Sequence, residues 1–90
     1  MITDKLDAPF SNTFAPKNVA VLFEKSPNLK VIAYEDIYKG TAMFSIREIW
    51  LDYNGCWAPG KGLTIAARRK QELLDAIVEY AKACTPEQVS

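Results

Sequence analysis

Three short clusters in this chain combine residue types that suit one kind of partner. Tyr38-Lys39-Gly40, Arg47-Glu48-Ile49-Trp50 and Pro59-Gly60-Lys61-Gly62 fall within 25 residues. They set aromatic rings, cations and glycines along what reads as a continuous β-meander. A sheet face that carries rings and cations can hold a flexible polyanion with exposed bases, because rings stack on bases while cations neutralise phosphates. The spacing points to single-stranded nucleic acid.

Other chemistries find less support. Acid/base or nucleophilic catalysis needs a base beside the reacting group, and the chain holds no histidine to activate Cys56. Glu48 and Asp52 stand four residues apart on a strand, about 13 Å, too far to share one metal ion unaided. Cys56 and Cys84 are too few for a tetrahedral metal site, and a chain without a secretion signal gives little reason for a disulfide between them. The expectation is therefore no enzyme, no metal and no cofactor. A rival of another class is a protein-interaction adaptor acting through an acidic helix end, and such an adaptor would tolerate loss of Tyr38 and Trp50.

The totals agree with one small domain. Ninety residues, 49% apolar and 24% charged, describe an ordinary globular composition. A chain this short buries only about 60–65% of its unfolded surface, so a second copy is a natural way to complete its core. No apolar run is long enough to span a membrane. Residues 1–28 show no basic start followed by an apolar stretch, which makes a cytoplasmic protein the default. Net charge is zero but unevenly spread. Residues 29–70 carry seven cations against four carboxylates, leaving +3, and residues 71–90 carry one against four, leaving −3. The pattern suggests a basic sheet and an acidic helix end.

The elements that must position these residues read as strands followed by a helix. Residues 1–28 form an irregular arm with Pro9 and Pro16 and a short strand near 19–24, closed by a turn at Lys25-Ser26-Pro27-Asn28. Leu29 to Tyr38 alternates as a strand, and Lys39-Gly40-Thr41 is a tight turn with Gly40 at positive φ. Ala42 to Asp52 is the longest strand, with Phe44, Ile46, Glu48 and Trp50 on one face and Met43, Ser45, Arg47, Ile49 and Leu51 on the other. A bulge near Glu48 would bring Arg47 and Trp50 to one face. Asp52-Tyr53-Asn54-Gly55 is a hairpin turn. The fourth strand comprises Cys56-Trp57 and Gly62 to Ile65, interrupted at Ala58-Pro59-Gly60-Lys61. From Ala66 to about Cys84 the period becomes helical, with Leu73, Ile77, Tyr80, Ala81 and Cys84 on one stripe. The fold class is α+β, an antiparallel sheet covered by one helix.

In Ile46-Arg47-Glu48-Ile49-Trp50-Leu51-Asp52, Gly55, Pro59-Gly60-Lys61-Gly62 and Leu63-Thr64-Ile65 the chain resembles the C-terminal DNA-binding domain of the positive cofactor four transcriptional coactivators. That family shows an aromatic-Lys-Gly turn, a strand ending Ile-Arg-Glu-aromatic-Trp, an acidic-Gly turn and a basic Pro-Gly loop. The likeness spans roughly residues 29–83, and the spacing of Tyr38, Arg47, Trp50 and Lys61 is nearly ungapped. It implies a curved four-stranded sheet plus C-terminal helix, dimerised in a Whirly-like arrangement. It also implies sequence-independent binding of single-stranded or melted DNA. On the same basis Tyr38 and Trp50 are the stacking rings, and Lys39, Arg47 and Lys61 the phosphate or base-edge cations.

Some positions depart from the family pattern. The basic loop is one residue shorter and lacks two cations, Thr41 replaces a common lysine, and Ala66 replaces a capping Asn or Ser. The family's Ser-rich and acidic regulatory arm is absent. These departures favour a bacterial or phage member, serving transcription, replication or recombination, over a nuclear coactivator. Residues 29–84 would then be the DNA-binding domain and 85–90 a tail.

The remaining residues keep two readings each. Lys30 suits either an extra DNA contact or protection of a strand edge. Arg68, Arg69 and Lys70 sit where the helix dipole disfavours cations. They suit either phosphate at the helix start or a basic patch facing the acids of a partner helix. Trp57 suits packing or a dimer interface, and Leu73, Ile77 and Tyr80 suit core or dimer contact.

Overall fold

The computed structural model describes Leu6 and residues 8–83. Four strands, β1 (Lys17–Ser26), β2 (Leu29–Tyr38), β3 (Thr41–Leu51) and β4 (Trp57–Ala66), precede a single 3-10 turn (Ala67–Arg69) and one helix, α1 (Lys70–Ala83). The strands form one antiparallel sheet in the order β1-β2-β3-β4. This is the α+β plan of a curved four-stranded sheet followed by one C-terminal helix. Cys84, and with it the proposed helix end and any pairing with Cys56, lies outside the described residues, as does the tail 85–90.

Turn chemistry sets the register. Tyr38 pairs with Thr41 across a two-residue loop, and both Lys39 (φ 51°) and Gly40 (φ 80°) are left-handed. That is the type I′ geometry whose twist matches flanking strands. At the next hairpin Asp52 does the closing work. Its Oδ1 accepts from the backbone N–H of Asn54 and Cys56, each at 2.9 Å, and Gly55 alone takes a positive φ, 73°.

Two strands differ from their expected extents. β1 is longer than the run near 19–24 and continues through Lys25 and Ser26, so the turn shrinks to Pro27-Asn28. β4 is continuous through Ala58-Pro59-Gly60-Lys61. Its position at the sheet edge allows this, because an edge strand tolerates proline that a central one would reject.

The sheet has two unlike faces. On the first, Phe14, Ile32, Tyr34, Ile49 and Trp57 form the core, with Leu6, Ala8, Phe10, Val19, Val21 and Leu51 around them. The irregular arm supplies much of this cover. Trp57 donates its backbone N–H to Pro9 O at 2.8 Å and accepts from Ser11 N at 3.0 Å. Phe14 meets both Phe10 and Tyr34 edge-on at 5.3 Å. Full burial of Ile32 and Ile49 contributes roughly 1.5–3 kcal/mol each. Trp57 is thus a packing residue.

The second face receives the start of α1. Lys70 Nζ bonds Glu35 Oε2 at 2.8 Å and lies over the Phe44 ring at 5.7 Å. No side chain at Ala66 caps the helical segment. The expectation of a helix covering the sheet is corrected within one chain, where α1 buries none of its described residues. Leu74, Ile77, Val78 and Tyr80 stay exposed, as do Phe23, Ile37 and Leu63 of the strands.

Candidate nucleic-acid interface

The arm covers only part of the first face. Beyond Tyr34 the sheet opens into a groove of about 450 Å³ lined by Tyr34, Asp36, Tyr38, Met43, Ser45, Arg47 and Thr64. The register explains why these seven meet. Unbroken pairing of β2 with β3 sets Ile32 opposite Arg47, Tyr34 opposite Ser45 and Asp36 opposite Met43. Pairing of β3 with β4 sets Ser45 opposite Thr64 and Arg47 opposite Gly62.

Arg47 is the best-held side chain of the groove. Its Nε donates to Tyr34 Oη at 2.8 Å, one terminal nitrogen to Gly60 O at 3.0 Å and the other to Thr64 Oγ1 at 3.1 Å. Ser45 and Thr64 share a hydroxyl bond of 2.8 Å. A guanidinium offers five N–H donors in a rigid fork, so two remain for a ligand. Gly62 makes room for this arrangement, since a Cβ there would lie 2.8 Å from both Cβ and Cγ of Arg47. At the groove mouth Tyr38 is 62% exposed, and Lys39 Nζ sits 5.3 Å from its ring centroid.

Arg47 and Trp50 do not share a face. The slip expected near Glu48 is present, but it falls between β3 and β4, between the Arg47–Gly62 and Ile49–Pro59 pairs. β3 stays in phase with β2, so Arg47 points into the groove and Trp50 to the helix face. There Trp50 pairs with Leu29 and Ala58 and is 43% exposed. Gly60 packs beneath it, with room for a Cβ only 3.6 Å from Trp50 Cδ1 and 3.2 Å from Glu48 O. Lys61 is exposed at the slip. The hydrogen bond from Lys25 Nζ, 2.5 Å from Glu48 Oε2, holds the Glu48 carboxyl below its usual range, and the charge of Lys61 adds a smaller push the same way.

The other proposed contacts are dispersed. Lys30 bonds Glu24 and lies 5.7 Å over the Trp57 ring, which gives it a structural role at the covered end of the groove face. Arg69 pairs with Glu72 at 3.0 Å and Lys70 with Glu35. The acids facing these cations therefore belong to the chain itself. Arg68 is exposed and has no ion pair among the described residues.

Tyr34, Asp36, Met43, Ser45 and Thr64 complete the groove and were not singled out from sequence as site residues. A signal for most of them existed. A two-residue loop at Lys39-Gly40 dictates which residues of β2 and β3 face each other, and alternation does the rest.

Among the described residues no group of His, Cys, Asp and Glu is placed to hold a metal ion, and no helix is long and apolar enough to cross a membrane. No family model, curated protein or solved structure matches the chain.

Proposed function

We propose that the chain is a homodimeric, largely sequence-independent single-stranded DNA-binding protein of the positive cofactor four type, supporting transcription, replication or recombination. The groove carries the reading. It offers a rigid cation with two free donors, a ring at the mouth and a second cation on the adjoining turn.

From the Thr41 row to the Arg47 row the groove runs about 20 Å, space for only a few nucleotides. Contact with Trp50 then requires the strand to leave the groove and cross β4. That edge is low at Gly60 and Gly62, with Lys61 between them to meet a phosphate. Two such sites on a dimer raise avidity without any new contact. The uncovered stripe of Leu74, Ile77 and Val78, together with Phe23, Ile37 and Leu63, supports dimerisation through the helix face.

The same exposed stripe, interspersed with Asp75 and Glu79, favours the adaptor as a second reading. Fluorescence anisotropy of a labelled 20-nucleotide oligothymidine at two salt concentrations, with duplex as control, separates them. Micromolar or tighter binding to the single strand, weaker on duplex and falling with salt, is the expected result. Absence of binding at low salt defeats the DNA reading and leaves the adaptor.

A further inference from the structure

We infer that the groove contains a guanine-selective position built on Asp36, an inference that rests on the single-stranded DNA reading of the same site. A carboxylate is a misfit in a channel for a polyanion, because it repels any phosphate that comes close. Asp36 is nonetheless half-buried in the groove wall, and it makes no hydrogen bond or ion pair with any described residue. Glu35 next to it points to the other face and is tied to Lys70 and Asn18. The neighbouring carboxylate is engaged where Asp36 is not.

The phosphate path must therefore skirt Asp36, and what reaches it is a base. An ionised carboxylate only accepts hydrogen bonds and has two oxygens to do so. Guanine alone among the DNA bases sets two donors side by side, N1–H and the exocyclic amino group. Thymine presents one N–H between two carbonyl oxygens, while adenine and cytosine each set one amino group beside a ring acceptor. A guanine paired through that edge with Asp36 turns its O6 away from the carboxylate, where a free Arg47 N–H can donate to it. Tyr38 and Met43 supply the apolar and stacking contacts of the same groove. The edge in question is free only in a single strand, so the position also rejects duplex.

The test uses the full chain and labelled 20-mers in which spaced thymines of an oligothymidine are replaced. One probe carries 7-deazaguanine, which keeps both donors but cannot form quadruplexes. A second carries hypoxanthine, which lacks the amino group. The deazaguanine probe is expected to bind about tenfold tighter than oligothymidine at equal salt, as for one good bidentate contact, with most of that gain lost on hypoxanthine. In Asp36→Asn the ratio between probes falls towards one. Because the ratio is taken within one variant, a change in its folded fraction cancels. A ratio near one in the unaltered chain, with oligothymidine still bound, overturns the guanine position and leaves the DNA reading standing. An undiminished preference in Asp36→Asn also overturns it, by placing recognition elsewhere. Failure to bind any probe overturns both.

Discussion

Gly62 and Arg47 face each other across β3 and β4 at a separation that excludes any side chain on the glycine. A Cβ would lie 2.7 Å from Ile46 O and 2.8 Å from the Arg47 side chain. Arg47 uses this space to cross β4 and reach Gly60 O and Thr64. Gly62→Ala should therefore cost about 1–3 kcal/mol of stability through overpacking and loosen the fork. Urea unfolding checks the first effect. Oligothymidine affinity at a temperature where the variant is fully folded checks the second, and unchanged affinity there would show that Arg47 need not be held.

The opposite faces of Tyr38 and Trp50 make a prediction about additivity. Each ring removed should weaken single-strand binding by about 1–3 kcal/mol if a base stacks on it. Tyr38 shares the groove with Arg47, so Tyr38→Ala and Arg47→Ala should be non-additive when combined. Trp50→Ala lies on the other side of the sheet and should add to either, as distant sites do. A double-mutant cycle by anisotropy measures both couplings. A wild-type affinity in Trp50→Ala would confine the DNA to the groove.

Much of this arrangement was legible in the sequence, for identifiable reasons. The change from alternation to helical period after Ile65 announces strands followed by a helix, and β2 begins and ends where its alternation does. The faces of β3 follow from parity alone. What parity could not decide was which strand absorbs the slip near Glu48. Gly60 and Gly62 have no side chains to resist it, so it falls on β4, and Trp50 stays on the face opposite Arg47. Pro59 read as an interruption because only tertiary position reveals an edge strand. The arm has no period to detect, as Phe10 and Phe14 pack from irregular backbone. An amphipathic stripe in α1 announces that something covers it and not what, which is why the helix was expected on its own sheet.

Lys39 occupies a left-handed position that favours Gly, Asn or Asp. A lysine there costs roughly 1 kcal/mol or more, and such strain persists where the side chain has a use. Lys39→Asn should raise the unfolding free energy by a few tenths to 1 kcal/mol while weakening DNA binding. The slope of log affinity against log salt should flatten by about 0.7 if Lys39 meets one phosphate. Thermal unfolding and a salt titration read the two effects separately. A more stable variant with an unchanged slope would leave Lys39 with no role in binding.

Glu35 ties α1 to the sheet, and that tie should respond to acid. The hydrogen bond from Lys70, then that from Asn18, holds its carboxyl below the ordinary 4.5. A depressed carboxylate contributes its full stability above the unfolded value. It loses that contribution as pH falls from about 4.5 through the lowered folded value, and contributes nothing below it. Glu48 and Glu72 are lowered for the same kind of reason, so global unfolding alone would not isolate Glu35. Comparing the chain with Glu35→Gln does. The stability difference between the two should be largest at pH 6–7 and shrink below about pH 4.5. A difference independent of pH would mean that Glu35 acts through packing and not through its charge.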